Sequence, residues 1–201
     1  MTWAPDYTTL TKLKDYVRVD DLVDDVQLAM YITAASRAID NHCNRQFGRV
    51  ASSQERLYTA SYNYRRRRWV VLMDDLMPVT GSVVVETSDG VINDYALEPT
   101  NAGLYEGMPY TRIAVRITSV IQPTSVENGV AITTEDWGWS AVPAAVELAC
   151  LLQSNRFAVR RDSPFGIAGS PDQGNEMRLL SRVDPDVGVS LRKYVRPRRN
   201  F

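Results

Sequence analysis

The sequence predicts an α+β protein: a small helical bundle carrying an inserted antiparallel β-sheet. Three observations predict it. Apolar residues recur at helical spacing at both ends of the chain, at Leu28, Ile32, Ala35, Ile39 and Cys43 and again across residues 143–161. Between about residues 54 and 139 the pattern changes to short runs rich in Val, Ile, Tyr and Thr, divided by turn residues. With 201 residues, 44% of them apolar and 23% charged, the chain has the make-up of one soluble domain with an extension, able to bury roughly 70% of its unfolded surface.

The elements follow in order. Thr8 or Thr9 caps a short helix over residues 9–18, whose apolar face is Leu10, Leu13, Tyr16 and Val17. A second helix spans 22–45. Asp21, Asp24 and Asp25 stand where the free N–H groups and the positive dipole end favour carboxylates, and Gly48 is the expected stop. Six strands come next: ERLYTAS, RWVVLMD, GSVVVETS, DYALEP, RIAVRIT and GVAITTEDW. Asp89-Gly90 and Asn128-Gly129 are hairpin-type turns between them. Pro143 suits the first turn of a third helix, 143–161, with one stripe at Ala145, Leu148, Ala149 and Leu152 and another at Val146, Cys150 and Phe157. A helix apolar on two sides needs covering on both, by the second helix and by the sheet or a neighbouring subunit.

Residues 162–181 are too rich in Gly and Pro for helix or strand and read as an extended arm. A last short helix is capped by Asp184 and opened by Pro185, with Val187, Leu191 and Tyr194 on one face, and Pro197 ends it. The expected division is a domain of residues 1–161 and an arm with its helix over 162–201. Arm and helix together have too little apolar surface to fold on themselves, which points to a foreign surface as their home.

Function classes narrow quickly. His42 is the only histidine, so it has no second imidazole with which to build a metal cage, and it fits a structural or surface role. Asp20-Asp21 and Asp24-Asp25 are helix-start charges, and Asp74-Asp75 lies at a strand end. No cofactor or metal is expected. There is no Gly-rich phosphate loop and no GxSxG, and the serines lack a base partner, so no catalytic residues are assigned. The two cysteines, Cys43 and Cys150, sit in helical patterns far from CxxC spacing and read as buried, reduced thiols. No run of 18 apolar residues suggests a membrane span, and the start MTWAPDYTTL lacks the pattern of a signal peptide, which suggests synthesis and retention in a cytoplasm. Residues 9–45 resemble a helix–turn–helix in outline. Acids at the entrance of the second helix, where phosphate would lie, favour plain core packing.

Net charge is −1, but it is unevenly placed. Residues 49–155 carry 8 basic and 12 acidic groups, whereas residues 156–201 carry 10 basic and 5 acidic. One isolated basic cluster, Arg65, Arg66, Arg67 and Arg68, stands between Tyr62-Asn63, where a hairpin is expected to turn, and the apolar run from Trp69. In an extended strand Arg65 and Arg67 would face one way, Arg66 and Arg68 the other.

Several stretches, in this order, carry a resemblance: TLTKLKDYVRVDD, AASRAIDNHCNRQF, VVLMDDLMPVTGSVVVE, VPAAVELACLL and DPDVGVSLRKYVRP. The set resembles the head-tail connector (adaptor, or head completion) proteins of long-tailed phages along nearly the whole chain. The long β insert and the RRRR run depart from the family pattern. The resemblance implies a non-enzymatic virion protein of the capsid portal vertex and neck, made in the host cytoplasm. It implies a homo-oligomeric ring, usually dodecameric, that docks beneath the portal protein and extends the DNA channel. The ring offers a surface to the next neck or tail protein, a stopper or tail terminator, and makes only non-specific contact with genomic DNA.

The C-terminal segment of such adaptors reaches the portal. On this chain that gives a docking set of Val187, Leu191, Arg192, Lys193, Tyr194, Arg196, Arg198, Arg199 and Phe201, with apolar anchors for affinity and cations for register. Deletion of residues 184–201 is then expected to leave a folded protein unable to join portal-bearing heads. In a ring, Arg65–Arg68 would face DNA phosphate, a neighbour's acids (Asp74-Asp75 or Glu135-Asp136), or solvent. Two other functions fit the same residues: another neck or tail-completion protein of the same particle, and a small nucleic-acid-binding regulator.

Overall fold

The structure, a computed structural model, describes residues 4–20, 22–79, 83–102, 107–162, 167–168, 177–178 and 185–197. The chain divides into two compact units. One combines Met1–Phe47 with Val142–Phe201 and is helical; the other, Gly48–Ala141, holds the β insert. The α+β class is as the sequence predicts. The division differs from a domain of 1–161 followed by an arm, because the last helix belongs to the helical unit.

In that unit, α1 (Leu10–Val17) begins at Thr9, whose hydroxyl accepts from the Lys12 N–H, and ends at Arg18 in the left-handed conformation. Leu13 is its fully buried residue. Helix α2 runs Asp25–Cys43, and every residue of the predicted stripe (Leu28, Ile32, Ala35, Ile39 and Cys43) is buried. Two details differ from expectation. Asn44, left-handed, ends the helix four residues before Gly48. Asp24 makes no side-chain capping bond. Instead Asp24 pairs with Arg161, 2.8 Å away, and Asp25 with Lys14 at 2.7 Å. The acids at the helix start therefore serve as ties to neighbouring helices.

Helix α3 (Ala144–Asp162) packs along α2. Small residues allow the approach: the Ser36 hydroxyl lies 3.5 Å from the Cys150 thiol, and it donates to the Ile32 carbonyl within its own helix. The buried face of α3 is Val146, Ala149, Cys150, Gln153 and Ser154. Leu148 of the other predicted stripe is half exposed, so within this unit α3 is covered mainly on one side. Of the expected arm, residues 167–168 and 177–178 form a two-residue antiparallel ladder, β9 (Ile167–Ala168) with β10 (Met177–Arg178). Asp162, where the arm was expected to begin, is the last residue of α3, and the remaining arm residues and the expected cap Asp184 lie outside the described residues. Helix α4 (Pro185–Leu191) packs on α3 and continues into a 3-10 turn, Arg192–Tyr194.

Among the described residues the β unit holds two four-stranded antiparallel sheets where the sequence suggested one. The strands are β1 (Gln54–Tyr58), β2 (Ala60–Asn63), β3 (Arg68–Leu76), β4 (Val84–Thr87), β5 (Gly90–Val91), β6 (Tyr95–Glu98), β7 (Tyr110–Arg116) and β8 (Val130–Thr134). Their orders are β1-β8-β4-β5 and β2-β3-β7-β6. The run read as one strand, ERLYTAS, is split at Thr59, and its halves join different sheets. Strand propensity is high on both sides of that residue, so periodicity alone does not show the break. Asn128-Gly129 is a turn, with Asn128 left-handed, yet β8 pairs with β1 and β4 and not with the strand before it. The loop near Asp89 is Ser88-Asp89, since Gly90 already pairs with Thr87.

Both sheets turn an apolar face inward. Val130 and Ile132 of β8, Val71 and Met73 of β3, Ile113 and Val115 of β7, and both Trp137 and Trp139 are essentially inaccessible to solvent. The end of β3 and Met77 just after it are pinned by backbone bonds to residues 136–138, including the Gly138 N–H to the Asp75 carbonyl at 2.7 Å.

Candidate functional site

Two surfaces hold the residues singled out by sequence. The first is the β2–β3 hairpin. Its register pairs Tyr62 with Trp69 and Asn63 with Arg68, so the loop is Tyr64–Arg67, two residues beyond the expected turn. Asn63 closes this loop by accepting the Arg66 N–H on its side-chain oxygen at 3.0 Å. Arg67 adopts φ 49°, in the left-handed region. Arg65–Arg67 are therefore loop residues and show no strand alternation.

Their fates divide. Arg65, Arg66 and Arg67 are exposed and make no ion pair among the described residues. Arg68, first residue of β3, is largely withdrawn and bonds Glu98 through both guanidinium prongs, at 2.6 and 3.0 Å. Beside the arginines stands an aromatic series. Tyr64 is 84% exposed, meets Tyr62 edge-on at 4.9 Å, and Tyr62 meets Trp69 at 5.1 Å. The Trp69 ring N–H donates to Gln122, which fixes the base of the series.

The acids expected to receive these cations from a neighbour are already engaged within their own chain. Asp75 is buried and accepts from the Trp139 ring N–H at 3.1 Å. Asp136 is buried and pairs with Arg49, whose guanidinium also lies 3.9 Å from Glu135. Asp74, half exposed, is bound by Arg56 and by the Tyr58 hydroxyl.

The second surface is the C-terminal helix, and here an expectation is corrected. Val187, Leu191 and Tyr194 do share one face, but that face is buried within their own unit. The Tyr194 ring packs edge-on against Phe47 at 5.8 Å, and Phe47 packs against Tyr7 at 5.6 Å. The Arg196 N–H donates to the Cys43 carbonyl at 2.8 Å, and Asn44 donates its side-chain N–H to the Arg196 carbonyl at 3.1 Å. One of the carbonyls that every helix end leaves unpaired is thereby satisfied. The segment has a hydrophobic home in its own chain, so these three side chains are core residues. Arg192 and Lys193 remain exposed on it. Arg198, Arg199 and Phe201 lie outside the described residues.

Sequence reading missed a third feature. The side of α2 opposite the buried stripe carries Val26 and Met30, exposed at 76 and 65%, and Val23, in the turn before the helix, is 86% exposed. Val26 and Met30 form one wall of an open groove of about 880 Å³, and Thr9, Leu10 and Arg37 line it too. Their spacing was readable in the sequence, since Val26 and Met30 stand four residues apart, one helical turn, on the wrong face for the core.

Among the described residues no cluster of three or more His, Cys, Asp or Glu could hold a metal ion, and no helix is long and apolar enough to cross a membrane. His42 is half-buried near the end of α2, and both cysteines are buried and unbridged.

No family model matches the chain, and no curated protein matches it. Among solved structures it is similar to a chain of the neck of an empty gene transfer agent (GTA) particle computed with C6 symmetry. The TM-score is 0.55 at 17% identity, over 100% of this chain and 95% of that one. A chain of the virion of the native GTA particle aligns with TM-score 0.49 and 18% identity, over 97% and 92% of the two chains. At such identity the first of these likenesses is one of fold.

Proposed function

We propose that this chain is a structural, non-catalytic component of a phage-type neck: a head-to-tail connector (adaptor) that forms a ring beneath the portal protein, extends the DNA channel and presents its far side to the next neck or tail protein. The observation that carries the reading is the end-to-end fold likeness to a chain of a particle neck. The ordered motifs from TLTKLKDYVRVDD to DPDVGVSLRKYVRP point the same way. The outward apolar face of α2 supports it as well, because large exposed apolar patches mark interaction sites.

The test is the mass of the full chain by sedimentation, alone and after mixing with portal-bearing heads. The expected result is a monomer alone and a multi-copy complex on heads. Met30→Asp is expected to leave the unfolding midpoint unchanged and to abolish that complex. A chain that binds duplex DNA tightly as a monomer or dimer and ignores heads would overturn the connector reading in favour of a regulator.

A further inference from the structure

We infer that the hairpin loop Tyr64–Arg67 is a nucleic-acid contact, in which the Arg65, Arg66 and Arg67 guanidiniums take backbone phosphates and the Tyr64 ring lies against the strand. Three guanidiniums on successive residues repel one another, and the fold does nothing to neutralise them among the described residues, although it neutralises the fourth with a two-pronged carboxylate. An arginine fork matches phosphate geometry. The loop is held in shape and does not trail: Asn63 closes it, Arg67 takes the left-handed turn, and the Tyr62–Trp69 pair props Tyr64 outward. An exposed aromatic beside cations is the arrangement by which proteins hold nucleic-acid strands without reading sequence.

Of the two acid pairs that could accept these cations on another copy, Asp75 and Asp136 are buried and bound at home, Asp74 is held by Arg56 and Tyr58, and Glu135 alone stays about half exposed, 3.9 Å from Arg49. The sheet unit is otherwise acidic, with 8 basic against 11 acidic groups over residues 48–141, so the loop is a local cation on a surface that repels polyanions elsewhere. A few contacts confined to one loop, weak and salt-sensitive, are what this charge pattern allows.

The experiment uses the isolated full chain, so its outcome is independent of the connector reading: assembly on heads and DNA contact are scored separately, and either can fail alone. Fluorescence anisotropy of a labelled DNA duplex and a labelled single strand is followed across a salt titration. The expected result is weak binding to both, with log affinity falling linearly with log salt. The triple variant Arg65→Gln/Arg66→Gln/Arg67→Gln is expected to lose up to about 2.7 units of duplex slope, at about 0.9 per phosphate. The triple lysine variant at the same positions is expected to keep the slope, which separates charge from folding. Tyr64→Ala is expected to weaken the single strand about tenfold and the duplex little. An unchanged slope in the glutamine variant overturns the proposal. So does a poly-glutamate peptide that competes as well as DNA at equal charge, since the acceptor would then be an acidic protein surface.

Discussion

Arg68 spans the central strand β7 of its sheet to hold Glu98 on β6, Nη1 to Oε1 at 2.6 Å and Nη2 to Oε2 at 3.0 Å. The Arg112 Nε lies 3.0 Å from the same Oε2, so one carboxylate serves two guanidiniums. The Glu98 side chain is only 11% exposed, and Arg68 21%. Replacing Glu98 with Gln leaves two partly buried cations with no counter-charge. Loss of one partner of a fully buried pair costs about 3–5 kcal/mol, and the solvent reaching Arg112 lowers the expectation to about 2 kcal/mol. Arg65→Gln, at an exposed position, is expected to stay within about 0.5 kcal/mol. Urea unfolding of the two variants measures both. Equal effects would show that Arg68 is no more structural than its neighbours in sequence.

That division among four identical residues also shows where sequence reading stops. The helices were legible because their period is local: Leu28, Ile32, Ala35, Ile39 and Cys43 announce a buried stripe whatever they face, and all five are buried. The six strand segments were legible for the same reason. Which strand pairs with which was not, since Thr59 divides two sheets without any change of residue type, and β8 finds β1 across more than seventy residues of chain. Arg68 becomes structural because Glu98, thirty positions away, is folded beside it. The misreading of the C-terminal helix has the same origin. Its apolar face was correctly identified at Val187, Leu191 and Tyr194, but its acceptor, the aromatic pair Tyr7 and Phe47 together with α3, is assembled from distant parts of the chain.

Both thiols are expected to be inert in the folded protein. Burial pushes Cys43 from its ordinary value of 9.0 up to about 12, with Arg45 opposing and Asp40 reinforcing the shift. Burial likewise raises Cys150, against hydrogen bonds from Ser36 and Ser154. Only the thiolate reacts with disulfide reagents, so neither residue should titrate in native protein at mildly alkaline pH, while both should titrate in denaturant. The sign for stability follows. A group whose folded value is raised keeps its proton in the native state after the unfolded chain has lost it. The stability associated with Cys43 is therefore fully present below about pH 9 and declines as pH rises towards 12. Cys43→Ala should show a shallower alkaline loss than the parent. Prompt labelling of either thiol without denaturant would contradict the burial.

The C-terminal helix gives the sharpest contrast between sequence expectation and structure. If Val187, Leu191 and Tyr194 waited for a partner, their truncation would leave the isolated protein untouched and weaken only assembly. They are instead 0, 0 and 9% exposed on their own chain. Leu191→Ala should then cost about 2–5 kcal/mol in the isolated protein, as a buried leucine does when its cavity fails to collapse. Val189, on the same helix but 75% exposed, should tolerate alanine within about 0.5 kcal/mol. Removing residues 185–201 should be worse than either change, because it uncovers the Phe47 ring edge and leaves the Cys43 carbonyl without the Arg196 N–H. A portal-docking role for this segment is consequently tested with Arg192→Ala/Lys193→Ala, which alters only exposed side chains, and not by deletion. Thermal unfolding with the head-binding assay separates the cases. Loss of binding at unchanged stability assigns docking to these two cations, whereas a Leu191→Ala variant as stable as the parent would mean that the helix does not rest on its own body.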